Sequence, residues 1–110
     1  PILQNANRNA PYLTSLIREE LEDYRYVGDI RSIGLINAIE LVQDKESKTS
    51  FDSSHRYGYQ TYKTALKKGL LLRPLGDILY FNPPLIMTRE EMKKAVKICA
   101  DSIREVMDSI

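Results

Sequence analysis

The sequence predicts an α+β fold in which about three helices pack on a mostly antiparallel sheet of about four strands. Apolar residues recur at three- and four-residue steps in three segments, which is the spacing of amphipathic helices. Branched and aromatic residues concentrate in two pairs of short segments between those helices, as is typical of strands. The predicted order is helix, two strands, helix, two strands, helix, so the helices form a layer on the sheet.

The first helix is predicted over residues 6–24. Pro11 lies inside its apolar pattern, so this proline either starts the helix at its first turn or kinks a longer one. The positions that define the apolar face are Ala6, Ala10, Leu13, Ile17, Leu21 and Tyr24.

Residues 27–43 change to strand character, with many branched side chains and two glycines. We predict two strands, 29–33 and 35–42, bent or joined tightly at Gly34. Because no Asn-Gly type of turn is present, one long strand with a bulge at this glycine is the alternative.

A polar segment, residues 44–53, predicts a loop before the second helix, which is predicted over residues 54–68. Ser53 or Ser54 is suited to cap this helix, and Gly69 is suited to end it in the left-handed conformation. The residues expected to share one face of the helix are His55, Tyr59, Tyr62 and Leu66.

The last part of the chain predicts a strand pair and a final helix. The strands are predicted at 70–73 and 77–81, joined around Leu75-Gly76-Asp77 and ended by Asn82-Pro83-Pro84. Thr88 with Glu91 three residues later forms a capping-box pattern that predicts the helix start. The apolar stripe of that helix comprises Met92, Ala95, Val96, Cys99, Ile103, Val106, Met107 and Ile110.

Composition excludes several classes of function. Sixteen Lys and Arg oppose fifteen Asp and Glu, so a net charge of +1 gives no reason to expect nucleic acid or an anionic membrane as partner. No apolar run approaches the ~18 residues of a membrane span. The single cysteine, Cys99, is predicted to be a buried inert thiol, which fits a cytoplasmic protein. His55 lacks neighbours with metal-ligand spacing, so no metal site is predicted.

Arg73 is the most unusual residue of the sequence because it interrupts an aliphatic run in what is predicted to be a buried hairpin. One interpretation is a structural ion pair with an acidic neighbour such as Asp77 or Glu40. The other is an anion anchor, because a guanidinium grips a carboxylate with two parallel hydrogen bonds. Pro74 favours an extended backbone at Arg73 and would hold it at the strand end.

Tyr80 follows Arg73 by seven residues, on the far side of the predicted turn. In a hairpin its phenol would return close to the guanidinium and line a pocket there. The alternative is a half-buried sheet tyrosine without a ligand. Whether Asn82 also faces a ligand stays open at this level.

Two stretches resemble the class III pyridoxal-phosphate-dependent aminotransferases. "GLLLRPLGDILYFNPPLIMTREEM" is similar to the C-terminal signature of that family, and "VGDIRSIGLINAIELVQDK" is similar to its "VRGxGLxxGIELV" stretch. Ser32 and Ala38 depart from it where glycine is usual. The similarity extends over residues 10–110.

The resemblance implies the small C-terminal domain of a fold-type I aminotransferase. Residues 1–25 would be the helix that enters this domain, and residues 26–110 its α/β layer. The resemblance further implies that Arg73 binds the substrate carboxylate, that Tyr80 lines the substrate site, and that the full-length parent is a cytoplasmic homodimer acting on small molecules with pyridoxal 5'-phosphate as cofactor.

No residue of this chain is expected to be catalytic. In the family a lysine holds the cofactor, and the lysines here belong to a polar loop or to solvent faces of helices: Lys45, Lys48, Lys63, Lys67, Lys68, Lys93, Lys94 and Lys97. We therefore expect a C-terminal fragment, beginning at Pro1 within a helix, which lacks the large domain, binds no cofactor and is inactive alone.

Two alternatives remain open from the sequence. One is another class III enzyme, which would use an ω-amino acid or an amine with pyruvate or 2-oxoglutarate. The other, of a different class, is a stand-alone α+β module that binds a small carboxylate at Arg73 or has a regulatory role.

Overall fold

The computed structural model of the protein describes residues 2–33, 36–82 and 87–110. Within these ranges, three helices and four strands follow in the predicted order. Their bounds are α1 Ile2–Leu21, β1 Val27–Ile33, β2 Ile36–Leu41, α2 Tyr57–Lys67, β3 Arg73–Leu75, β4 Ile78–Phe81 and α3 Arg89–Met107. A short 3-10 helix, Ser53–His55, precedes α2.

The four strands form one antiparallel sheet with the order β1-β2-β4-β3. Ile33 pairs with Ile36, so β1 and β2 are two strands and the single-strand alternative is wrong. Gly34, where we predicted the bend, lies outside the described residues. The described part of the sheet has a register irregularity between Val27 and Asp29. The predicted α+β class is confirmed.

One hydrophobic cluster joins the helices to one face of the sheet. Ile30, Ile39 and Leu79 are neighbours across three strands and are almost fully buried. α3 contacts both α1 and α2. Because successive side chains of a strand point to opposite faces, the residues between these core positions point away from the helices.

The face of the sheet opposite the helices, here called the open face, carries the site residues predicted from the sequence. The register aligns Arg31, Ala38, Tyr80 and Arg73 in one row across the four strands. Apolar side chains on this side are left in contact with solvent, and Leu75 is 67% exposed. The sheet therefore has one covered and one solvent-facing surface.

α1 differs from its prediction at both ends. It begins earlier and ends at Leu21, with Pro11 inside it, so the interpretation of this proline as the first turn is wrong. Tyr24 lies beyond the helix, where its hydroxyl donates to the Asp108 carboxylate. This contact ties the segment after α1 to the end of α3.

α2 begins later than predicted, and its capping is not the one we expected. Arg56 occupies the N-cap with φ +53° and no side-chain cap, so neither Ser53 nor Ser54 caps the helix. The carboxylate of Asp77, from the β3–β4 turn, accepts a hydrogen bond of 3.0 Å from the backbone N–H of Gly58. A distant residue therefore satisfies a helix N–H that local sequence left open.

The buried residues of α2 are not the set that the sequence placed on one face of the helix. The 3-10 turn ends at His55, so this residue is not part of α2, and Tyr59 and Leu66 are exposed. The helix instead buries one aromatic residue and three small ones, and it contacts α3 and the β3–β4 hairpin. These buried residues are Tyr57, Gly58, Thr61 and Ala65. The predicted left-handed stop at Gly69 is confirmed by its φ of +91°.

α3 follows its sequence signals closely. The Thr88 hydroxyl accepts from the Glu91 backbone N–H at 3.1 Å, and the Glu91 carboxylate accepts from the Thr88 N–H at 2.9 Å. This backbone hydrogen bond lowers the pKa of Glu91. The predicted stripe is buried up to Met107, whereas Ile110 lies past the helix end and is 55% exposed. The inclusion of Ile110 in the stripe was therefore wrong.

Candidate functional site

Arg73 and Tyr80 are brought together by the β3–β4 hairpin. β3 spans Arg73–Leu75 rather than the predicted 70–73, so Arg73 begins the strand instead of ending it and is the direct Cα partner of Tyr80 on β4. Leu75 pairs with Ile78, so Gly76 and Asp77 form the connection, and Gly76 has a φ of +59°. A left-handed φ suits glycine, which has no Cβ to oppose it. The predicted return of the tyrosine to the arginine is confirmed.

The two side chains line a cavity of about 380 Å³, here called the Arg73 cavity. Apolar residues, among them Leu71 and Met87, form part of its wall, and Asn82 reaches it beyond the end of β4. One cation beside an apolar wall is complementary to a carboxylate that carries an aliphatic chain.

Arg73 is exposed, which differs from the buried guanidinium that the sequence led us to expect. The physical reason is the strand order, because β3 is an edge strand and Arg73 projects on the open face. Within the described ranges Arg73 makes no ion pair. Asp77 bonds to α2, and Glu40 lies opposite Ile78 rather than Arg73. The structural ion-pair interpretation is therefore not supported.

Tyr80 is half-buried on the open face, between Ala38 and Arg73 in the sheet register. This degree of burial is the one that the alternative interpretation predicted for a sheet tyrosine. It also leaves the side chain on the wall of the Arg73 cavity. The binding roles of Arg73 and Tyr80 stay predictions.

The lysines decide whether this chain has a residue that fits pyridoxal phosphate. All eight lie within the described ranges, and seven are exposed. Lys45 is half-buried, and its ammonium donates to the backbone carbonyl of Glu22 in the loop region. None lies in the apolar setting that lowers a lysine pKa for Schiff-base chemistry. The residues of this chain therefore do not fit the cofactor's attachment point.

In the described part of the chain, no three His, Cys, Asp or Glu side chains lie close enough to hold a metal ion. No helix among the described residues has the length and apolar character needed to cross a membrane. Cys99 is fully buried, and this burial raises the pKa of its thiol to about 12, as expected for an inert cysteine.

Sequence reasoning missed a second cavity, of about 530 Å³, at the turn end of the hairpin. It lies between the start of α2, the end of β2 and the loop before α2, and it is lined by Arg56 and Glu40 among others. Local sequence gives no signal for it, because three distant segments meet there. We call it the Arg56 cavity.

Sequence comparison relates most of the chain to known aminotransferases. The Aminotransferase class-III family model matches residues 1–103. The chain is 38% identical to the uncharacterized aminotransferase y4uB of Sinorhizobium fredii, covering 96% of this chain and 23% of that protein. It is 35% identical to adenosylmethionine-8-amino-7-oxononanoate aminotransferase of Anoxybacillus flavithermus, covering 86% and 21%. It is 33% identical to diaminobutyrate–2-oxoglutarate transaminase of Halomonas elongata, covering 96% and 23%.

Solved structures share the fold. A PMP-bound aminotransferase from Vibrio fluvialis superposes with a TM-score of 0.94 at 29% identity, covering 99% of this chain and 24% of that one. Adenosylmethionine-8-amino-7-oxononanoate aminotransferase from Methanocaldococcus jannaschii superposes with a TM-score of 0.87 at 29% identity, covering 94% and 24%. The chain thus spans about a quarter or less of these proteins. By its sequence and its fold, the chain belongs to the class-III aminotransferase family.

Proposed function

We propose that this chain is the C-terminal small-domain segment of a pyridoxal-phosphate-dependent aminotransferase. The full-length parent transfers the amino group of S-adenosylmethionine to 8-amino-7-oxononanoate and yields 7,8-diaminononanoate, a step of biotin biosynthesis. It works as a cytoplasmic homodimer on these small molecules. The cofactor supplies the electron sink for amino-group transfer and is held by residues outside this chain.

The observation that carries the proposal is the pairing of Arg73 with Tyr80 on the wall of one cavity. Arg73 has no ion-pair partner among the described residues, so its two-pronged guanidinium is available to a carboxylate. The phenol of Tyr80 can donate one further hydrogen bond. In the parent, this pair would hold the carboxylate of the amino-keto acid away from its reacting carbonyl.

The proposed substrate is supported by two similar proteins and by one sequence motif. Two proteins similar to this chain carry the name adenosylmethionine-8-amino-7-oxononanoate aminotransferase. The motif "ILYFNPPL", with its tyrosine, also resembles the matching motif of that enzyme more than those of other class III members. These similarities support the proposed reaction over others in the family.

A second candidate is another class III reaction, with an ω-amino acid or amine as donor and pyruvate or 2-oxoglutarate as acceptor. The relative from Halomonas elongata, a diaminobutyrate–2-oxoglutarate transaminase, favours it at 33% identity. The Arg73 cavity would then receive the carboxylate of the keto acid. The same geometry serves both candidates, so only turnover separates them.

The test is an assay of the full-length protein with each acceptor. We expect 7,8-diaminononanoate from 8-amino-7-oxononanoate and S-adenosylmethionine, detected by mass spectrometry. Turnover of an ω-amino acid with pyruvate or 2-oxoglutarate, without any reaction of 8-amino-7-oxononanoate, would establish the second candidate. A protein without transaminase activity toward any of these pairs would contradict both.

A further inference from the structure

The Arg56 cavity has the size and lining of a small-molecule site. Its volume of about 530 Å³ lies in the range of roughly 300–1,000 Å³ that is typical of ligand pockets. Phe51, Pro74 and Leu75 give it apolar walls, and Leu75 is 67% exposed there. Among the residues that the structure describes, it shares no lining residue with the Arg73 cavity.

Arg56 is held over this cavity as a positioned cation. The central carbon of its guanidinium lies 4.2 Å from the centre of the Tyr59 ring, which is a cation–π contact that orients the group. Its backbone adopts φ +53°, an uncommon conformation for a residue with a Cβ. In the described part of the chain the guanidinium has no carboxylate partner. The charge is therefore free for an anion.

The carboxylates on the wall of this cavity are in different states. Asp77 already accepts the Gly58 N–H at 3.0 Å. Glu40 is half-buried, and among the described residues no hydrogen bond or ion pair engages its side chain. The cavity thus presents one uncommitted cation, Arg56, and one uncommitted anion, Glu40. A ligand that carries both charges is complementary to this pair.

We propose that the Arg56 cavity binds an amino-acid zwitterion with an apolar body. Its carboxylate meets the Arg56 guanidinium, its ammonium meets Glu40, and its apolar part lies against Phe51, Pro74 and Leu75. This is a second ligand site, separate from the carboxylate anchor at Arg73, and it goes beyond the proposed reaction.

The experiment is an NMR titration of the isotope-labelled 110-residue chain at a concentration where sedimentation shows a monomer, because Leu75 of this cavity also lies on the open face. The zwitterionic probes are L-leucine and 6-aminohexanoate, which separate the two charges by different lengths. Two mono-ionic probes match leucine, namely 4-methylpentanoate without the amino group and 3-methylbutylamine without the carboxylate. We expect saturable shifts around Arg56 and Glu40 with at least one zwitterion, and binding about tenfold weaker with either mono-ion.

Variants assign the charges. Arg56→Asn removes the cation but keeps a residue that tolerates the left-handed backbone, so the fold is preserved and zwitterion binding is lost. Glu40→Gln should abolish the preference for leucine over 4-methylpentanoate. Arg25→Asn is the matched control, because Arg25 also stacks on a tyrosine, Tyr26, at 4.6 Å but lies outside the cavity.

Several results would overturn the inference. They are the absence of saturable shifts with both zwitterions, equal binding of the mono-ions, or unchanged binding in Arg56→Asn. Shifts confined to Arg73 and Tyr80 would place the ligand in the other cavity and would also contradict it. None of these results bears on the aminotransferase reaction, which is assayed separately.

Discussion

Arg73 and Tyr80 are directly opposed on neighbouring antiparallel strands, although seven positions separate them in the sequence. Directly opposed residues of an antiparallel pair have Cβ atoms about 4.5–5.5 Å apart. Both side chains project from the open face and line one cavity. The hairpin therefore places two residues that are distant in sequence side by side on one cavity wall.

Replacing Arg73 with Ala in the full-length enzyme should weaken binding of the acceptor substrate. Loss of a charge-assisted bidentate contact costs about 1.5–3 kcal/mol, so the KM for 8-amino-7-oxononanoate should rise at least about tenfold. Arg73→Lys should restore binding only in part, because an ammonium lacks the planar fork. Tyr80→Phe should have a smaller effect. Steady-state kinetics with each substrate varied in turn would measure these changes.

The donor half-reaction provides the control for these variants. The rate of this half-reaction should fall less than that of the acceptor half-reaction if other residues bind the donor carboxylate. If Arg73→Ala leaves the acceptor kinetics unchanged and lowers the melting temperature, the arginine is a structural ion-pair partner instead.

The isolated chain should bind no pyridoxal phosphate and show no transaminase activity. Seven of its lysines are exposed and Lys45 lies half-buried in a loop, so none has the apolar surroundings of a cofactor lysine. Absorbance after incubation with the cofactor and dialysis into cofactor-free buffer, followed by borohydride reduction and peptide mapping, would measure this. A visible band that survives dialysis and maps to a lysine of this chain would refute the prediction.

Local signals in the sequence predicted some elements well. The capping box of Thr88 and Glu91 lies within four residues, so α3 begins where expected. Likewise, the glycine between two strand segments predicted the hairpin, although β3 begins at Arg73 instead of ending there. These features depend on neighbours along the chain and can therefore be read from it.

Features that depend on distant residues could not be read in this way. Asp77 caps α2 from the hairpin turn, and its position became clear only in the folded chain. The exposure of Arg73 follows from the edge position of β3, which is a matter of strand order. The Arg56 cavity requires a left-handed residue and three separate segments. None of these three features follows from the hydrophobic periodicity of the sequence.

The chain by itself should self-associate through the open face of the sheet. Ile36 is 45% and Leu75 67% exposed, and exposed apolar surface of this kind promotes contacts between copies. Sedimentation velocity at rising concentration should show dimers or larger species. Leu75→Glu should reduce them, whereas Ile110→Glu, at the end of the chain and 55% exposed, should not. A monomer at high concentration that binds no apolar dye would argue against this interface.

The thiol of Cys99 should stay unreactive until the chain unfolds. Burial raises its pKa from an ordinary 9.0 to about 12, so the folded protein keeps the proton more tightly than the unfolded one. The resulting stability is fully present below pH 9 and is lost as the pH rises toward 12. A thiol reagent should label Cys99 only in denaturant. Rapid labelling of the folded chain at neutral pH would contradict the burial.

Among the described glycines, Gly58 makes the closest approach to another segment, the backbone of Gly76. A Cβ built on Gly58 would lie 2.1 Å from the backbone oxygen of Gly76, and a backbone atom cannot swing aside as a flexible side chain can. Overpacking of this kind costs about 1–3 kcal/mol. Replacing a helical glycine with alanine gains only about 0.5–1 kcal/mol, so Gly58→Ala should destabilise the chain.

Urea denaturation of Gly58→Ala would measure this loss of stability. The matched control is Lys67→Ala, because Lys67 is exposed in the last turn of the same helix. The control should change the free energy of unfolding by no more than about 0.5 kcal/mol. The clash would also move the Gly58 N–H away from the Asp77 carboxylate, to which this N–H donates a hydrogen bond. Asp77→Asn keeps an acceptor oxygen there and should cost less than Gly58→Ala. If Gly58→Ala unfolds at the same urea concentration as the unmodified 110-residue chain, α2 and the hairpin are not packed this closely.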